Sequence, residues 1–124
     1  MKENFLTKKF FDQSFKNLNS KKIFYKYNNH VFSYIDLKKF FLKFSNFIES
    51  SSNSRKKIAI ISEKNFEMYS AVISTILTKN IWIPISPKLP KKRLENILKI
   101  SKPDILIVNN TEQLKELKIR KFCK

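Results

Sequence analysis

Three apolar runs limit what this chain can fold into more than any other feature. Ile58 to Ile61, Ile81 to Ile85 (interrupted by Pro84) and Ile105 to Val108 contain no polar residue. A strand with one wet face alternates apolar and polar positions. Runs without alternation suit strands covered on both faces, the signature of a parallel sheet. Between the first two runs, Phe66, Tyr69, Val72, Ile73, Ile76 and Leu77 recur at helical spacing and form the expected inner face of a helix. Between the second and third, Pro90 to Ile100 does the same through Leu94, Ile97 and Leu98. Two consecutive βαβ units follow, hence the α/β class with a parallel three-stranded sheet and right-handed crossovers.

The half that precedes these runs reads differently. Phe5, Leu6, Phe10, Phe11, Phe15 and Leu18 predict an amphipathic helix over residues 4–18. Lys21 to Tyr27 alternates loosely, Asn28-Asn29 can turn because Asn tolerates φ > 0, and Val31 to Ser33 returns, so a short hairpin is expected. Ser33 and Asp36 are spaced as a capping box, with Asp in place of Glu or Gln. Leu37, Phe40, Phe41, Phe44 and Ile48 then line one face of a second helix. The resulting division is a helix–hairpin–helix segment over residues 1–50 and a Ser-rich connector over 51–56. A βαβαβ(α) segment follows over 57–118, with Thr111 to Lys118 as its last short helix, and 119–124 is a tail. Together they make one incomplete domain.

Composition narrows the chemistry. The 124 residues include 42% apolar types and 12 Phe, enough to build a core, and no glycine at all, where about nine are usual. Loops that cradle phosphates need glycine so that backbone N–H groups can approach the ligand without a Cβ in the way. A Walker loop, a dinucleotide fingerprint and a GXXG clamp are therefore excluded. A single Cys123 allows neither an internal disulfide nor a cysteine metal cluster. No apolar run nears the roughly 20 residues of a membrane span, and Met1 to Phe5 lacks a secretory pattern, so a cytoplasmic location is expected.

The net charge is +16, divided as +6 over residues 1–50 and +10 over residues 51–124. Such an excess admits a small basic nucleic-acid-binding module as an alternative function. Yet the charge is spread along the chain, and of the 26 basic residues only Arg55, Arg93 and Arg120 carry the guanidinium that phosphate sites favour. Drift in a Lys-, Asn-, Ile- and Phe-rich composition accounts for it more simply.

The residues Phe32-Ser33-Tyr34-Ile35-Asp36-Leu37 open a longer likeness. A hairpin, Ser/Thr-Tyr-x-Glu/Asp-Leu, an amphipathic helix, a loop and a buried strand ending in Ser occur here in that order, and Lys64-Asn65-Phe66-Glu67-Met68 comes next. The stretch Asn80-Ile81-Trp82-Ile83-Pro84-Ile85-Ser86-Pro87 is followed by Pro90-Lys91-Lys92-Arg93-Leu94 and later by Lys102-Pro103-Asp104-Ile105. This order resembles the N-terminal portion of adenylate-forming enzymes, the AMP-dependent synthetases and ligases. Its Pro-x-x-Arg element is closest to the amino-acid-activating branch. The resemblance spans residues 15–110. It places Asn80, and Asn53 in the connector, where the family has glycine, so a positive φ is expected at Asn80.

The family's Ser/Thr/Gly-rich phosphate loop, acidic nucleotide motifs and C-terminal lysine would all lie downstream. The resemblance therefore assigns no catalytic, cofactor-binding or metal-binding residue to this chain, while ATP and Mg²⁺ are implied for the complete enzyme. The expectation is an N-terminal fragment, inactive alone, of a ligase that adenylates an amino acid or other carboxylic acid and transfers it to a thiol. Its implied partners are the missing remainder, as in a split ligase, or a carrier protein.

Other candidates have plainer explanations. Lys88, Lys91, Lys92 and Arg93 form the densest basic patch, expected as a solvated first helical turn with Arg93 bonding the neighbouring loop. His30 falls at the hairpin turn with no nucleophile near it in sequence. Trp82 and the phenylalanines could stack on bases, but their spacing predicts core packing. Glu63, Glu67 and Glu95 fall at expected helix starts, where the helix dipole favours acids. Ser62 and Ser86 follow strands but lack the glycines of a nucleophile elbow.

Overall fold

A computed structural model of the chain describes residues 21–49 and 55–108. The expected helix over 4–18, most of the connector including Asn53, the helix over 111–118 and Cys123 lie outside the described residues. Strands β1 (Ile23–Tyr27) and β2 (His30–Ser33) form an antiparallel hairpin in which Tyr27 pairs with His30. Asn28 takes φ 52° in the turn, as an Asn can at little steric cost. Helix α1 (Tyr34–Glu49) starts at a closed capping box. The Ser33 N–H donates to Asp36 Oδ2 at 2.8 Å, and the Asp36 N–H donates to Ser33 Oγ at 3.4 Å.

Strand β3 (Lys57–Ile61), helix α2 (Phe66–Leu77), strand β4 (Ile81–Ile85), helix α3 (Lys91–Ser101) and strand β5 (Ile105–Val108) follow. The sheet order is β4-β3-β5 and both pairings are parallel, with Ile58 opposite Trp82 on one side and Ile105 on the other. Successive side chains of β3 point to opposite faces, which divides the core in two. Ile58 and Ile60 join Phe44 and Ile48 of α1 and Ala71 of α2. Ala59 and Ile61 join Ile85 together with Leu94 and Leu98 of α3. The chain runs outward to β4 over one face and back past β3 to β5 over the other. Opposite directions on opposite faces give two crossovers of one hand.

Phe66, at the start of α2, ties the hairpin to this layered unit. Its ring stacks on Phe32 at 4.2 Å and meets Phe24 and Phe40 edge-on at 6.2 Å each. Such aromatic pairs add about 0.5–1.5 kcal/mol each beyond the area they bury.

The structure corrects several expectations. Only β3 is buried on both faces. At the sheet margins, Ile81, Trp82 and Pro84 of β4 are exposed and all of β5 is half-buried. Trp82 is therefore not a core residue, being 38% exposed. Pro84 is tolerated because an edge strand can leave one position without a ladder donor. The inner face of α2 is the expected large apolar one only in part, with Phe66 buried and Val72 packed against the cluster of Phe44, Ile58 and Ile60. Ser70, Ala71, Ser74 and Thr75 are buried, while Tyr69 and Ile76 are exposed. Small residues let the helix sit close to its neighbours, and Ser70 Oγ and Ser74 Oγ have no partner there among the described residues.

The positive φ ahead of β4 belongs to Lys79 (66°) and not to Asn80. Lys79 ends α2 in a Schellman motif, its N–H donating to Ile76 O and the Asn80 N–H to Thr75 O, both at 3.0 Å. Glu95 sits one turn beyond the start of α3, whose first turn holds no acid, so the helix dipole does not explain it.

Candidate functional site

In open α/β sheets ligands bind beyond the carboxyl ends of the strands, where neighbouring strands send their following helices to opposite faces. Here that point lies between β3 and β4, which end in register at Ile61 and Ile85. Ser62 and Ser86, the residues that follow the two strands, therefore leave the sheet at the same edge, an association the sequence separates by more than twenty positions.

The groups at this edge are mostly engaged locally. The Ser62 hydroxyl donates to the Glu63 carbonyl at 2.9 Å, and Ser86 Oγ accepts from the Lys88 N–H at 3.2 Å. The N-terminus of α2 is closed by its own residue, since Asn65 Oδ1 accepts from the Met68 N–H at 2.8 Å. The N-terminus of α3 begins after Pro90, which offers no capping side chain, and Lys88, Lys91, Lys92 and Arg93 surround it, all exposed. The Arg93 side chain makes no hydrogen bond or ion pair among the described residues, so the expected bond to the neighbouring loop is not formed.

Neither serine has a base within its own contacts, and His30 is exposed in the hairpin. No group of three His, Cys, Asp or Glu side chains converges as a metal set among the described residues. This edge carries no glycine, and Asn65 Oδ1 takes up one of the N–H donors at the start of α2, that of Met68.

The opposite, amino-terminal edge of the sheet carries polar residues whose roles sequence reasoning missed. The Lys56 N–H donates to Asn80 Oδ1 at 2.9 Å, and the Ile81 N–H donates to Lys56 O at 2.8 Å. The Lys57 N–H donates to Asp104 Oδ2 at 2.9 Å, and the Asp104 N–H donates to Lys57 O at 2.8 Å. Each side chain adds a rung beyond the end of the strand ladder and so fixes register. Lys56 is itself buried and its ammonium donates to Ile48 O at 3.4 Å. A usable signal was present: one polar residue stands just ahead of each apolar run, Asn80 before β4 and Asp104 before β5.

Solved structures share this arrangement. Coronafacic acid ligase from Pectobacterium brasiliense overlays 94% of this chain on 24% of its own, with TM-score 0.80 and 19% identity. The chain thus shares the fold of part of this ligase. A nonribosomal peptide synthetase in its AMPPNP-bound form overlays 91% of this chain on 12% of its own, with TM-score 0.72 and 19% identity. A four-domain nonribosomal peptide synthetase bound to AMP and glycine overlays 87% on 8%, with TM-score 0.71 and 16% identity.

In sequence, a linear gramicidin synthase from Brevibacillus parabrevis is 32% identical over 53 residues, 43% of this chain and 1% of that protein. No family model matches the chain. The chain thus spans about a hundredth of this curated relative and at most a quarter of these structural neighbours. Among the described residues no helix is long and apolar enough to cross a membrane.

Proposed function

We propose that this chain supplies the opening structural segment of an AMP-forming ligase and has no activity alone. The carrying observation is the overlay of nearly the whole chain on the first part of a ligase fold. The reaction belongs to the assembled enzyme: ATP and an amino or other carboxylic acid give an acyl-adenylate and pyrophosphate, and the acyl group then passes to a thiol. The phosphate loop, the acids that hold Mg²⁺ and the catalytic lysine come from the remainder. Within that enzyme this segment provides the three-stranded sheet and its covering helices as a platform. A carrier protein is the natural acceptor partner, and the cytoplasm is the compartment in which ATP and reduced thiols coexist.

Purified chain given ATP, Mg²⁺ and each common amino acid in turn should give no ATP–pyrophosphate exchange. Robust exchange by the chain alone would overturn the proposal. The DNA after codon 124 supplies a second check, since an in-frame or frameshifted Ser/Thr/Gly-rich loop ending in Lys supports a ligase cut or split at this point.

One observation favours a second reading, a basic module on RNA or DNA: Lys88, Lys91, Lys92 and Arg93 are all exposed, and none is ion-paired among the described residues. That reading requires affinity for duplex DNA that survives about 150 mM salt and falls on a log–log plot with a slope of several counterions. Retention that disappears by that salt concentration reflects surface charge only.

A further inference from the structure

Three of the chain's four tyrosines and its only histidine gather on one surface. Tyr25 and Tyr27 are alternate residues of β1 and so share a face of the hairpin. Tyr25 lies opposite Phe32 and Tyr27 opposite His30, which puts Phe32 and His30 on that face too. The two ends of this face differ. At the inner end Phe32 stacks on Phe66, and Tyr25 meets Tyr69 of α2 at 5.4 Å, so the rings there are anchored in the body of the molecule. The outer end is open, with Tyr27 61% exposed and His30 exposed beside it.

Composition sets how many tyrosines a chain has, not where they gather. Each of these rings joins a flat apolar body to a hydrogen-bonding tip. Same-face positions on a strand lie about 7 Å apart, so Tyr25 and Tyr27 present two successive rings on one ribbon. The charge around them has a single sign. Lys21, Lys22 and Lys26 flank the rings, no acid occurs between Lys21 and Ile35, and Asp36 is engaged by Ser33 in the capping box. Glu67 is two positions from Tyr69 and therefore turns to another side of α2.

We infer that this face of the hairpin, through Tyr25, Tyr27, His30 and Tyr69, binds single-stranded RNA by stacking on its bases, while the lysine-only charge of the hairpin draws in its phosphates. The inference rests neither on the ligase reading nor on the basic patch at the start of α3. A row of open rings holds unpaired bases, which RNA presents in loops and ends and a duplex keeps inside its stack. A second copy is opposed as occupant by the +16 charge on each chain. An anionic membrane suits the opposite face of the hairpin better, where Ile23 and Val31 are exposed.

The test titrates the full chain into a fluorescein-labelled twelve-nucleotide oligouridine at about 150 mM salt and follows anisotropy. The expected Kd is at or below about 10 µM, with a log–log salt slope of about −2, since three lysines release roughly 0.7 counterion each. Tyr27→Ala should weaken binding at least about tenfold with an unchanged melt, and Tyr27→Phe, which keeps the ring, should restore most of it. Tyr69→Ala should weaken it by about fivefold, whereas Val31→Ala, on the other face, should leave it within about twofold. A DNA duplex of the same length should compete at least about tenfold more weakly.

No binding at that salt, indifference to Tyr27→Ala, a Tyr27→Phe variant as weak as Tyr27→Ala, or equal competition by the duplex overturns the inference. So does binding that is lost on Lys91→Ala with Lys92→Ala but kept on Tyr27→Ala, an outcome that supports the patch at α3 instead. Tyr27-dependent dimerisation, or Tyr27-dependent uptake on anionic vesicles without RNA binding, also sinks it by assigning the face to another occupant.

Discussion

β3 and β4 are built from nearly the same material and end in different places. KIAII is buried at four of its five positions, whereas IWIPI is buried only at Ile85. Both are apolar without alternation, and both pair in parallel. What separates them is position in the sheet. β3 has a strand on each side and helices on both faces, while β4 has one neighbour among the described residues and a partly open face. An apolar run therefore shows that a strand is meant to be covered, not that this chain covers it.

Rung partners give the sharpest contrast. Ile60 and Pro84 face each other across the pair. Ile60→Ala should destabilise by about 3 kcal/mol, because it empties a filled site between α1, α2 and the sheet. Pro84→Ala should change stability by less than about 0.5 kcal/mol, as for other exposed positions. Urea unfolding of the two variants measures the gap, and equal losses would mean that β4 is as enclosed as β3. A further substitution, Pro84→Val, restores the missing donor on the edge and should increase self-association in sedimentation at unchanged stability.

Next in size is the link between the two strands at their amino ends. Asn80→Ala leaves the Lys56 N–H beside a buried side chain without its acceptor and should cost about 2 kcal/mol. Asp104→Ala removes the equivalent bond to Lys57 at a more exposed place and should cost about 1 kcal/mol. If the two losses are equal, burial does not grade these bonds and the asymmetry between the sheet's two edges is only apparent.

Much of this fold was legible because the signals were local. Ser33 and Asp36 are three apart, and the box they close starts α1 where expected. Asn28 lies in a two-residue turn between alternating segments, and its left-handed backbone follows. The three strands and their parallel sense came from uninterrupted apolar runs separated by helical periods. What failed depended on what each element meets in space. The period of α2 locates the helix, and Phe66 and Val72 do turn inward, but Tyr69 and Ile76 are exposed while Ser70, Ala71, Ser74 and Thr75 take the closest positions.

The candidate site suffered from the same limit. Ser62 and Ser86 each follow a strand in the sequence, yet their place at one edge arises from a crossover that sequence spacing does not encode. A bond from the Arg93 side chain to its neighbouring loop depends on loop geometry that local sequence does not encode, and it is not formed.

The smallest effect tests the entry to β4. Lys79 holds φ 66°, a conformation that costs an L-residue with a Cβ roughly 1 kcal/mol and costs glycine almost nothing. The Schellman bonds of Lys79 and Asn80 run through backbone N–H groups and survive any side chain at position 79. Lys79→Gly should therefore stabilise the chain by somewhat under about 1 kcal/mol, since glycine also gains freedom in the unfolded state, and raise Tm by about 3 °C. Asn80→Gly is the matched control. Its backbone is not left-handed and its side chain bonds Lys56, so it should destabilise. The pair of variants thus distinguishes a glycine-like backbone position at Lys79 from a side-chain clamp at Asn80. A stabilised Asn80→Gly with a destabilised Lys79→Gly would move the turn by one residue and break the register that ties β4 to β3.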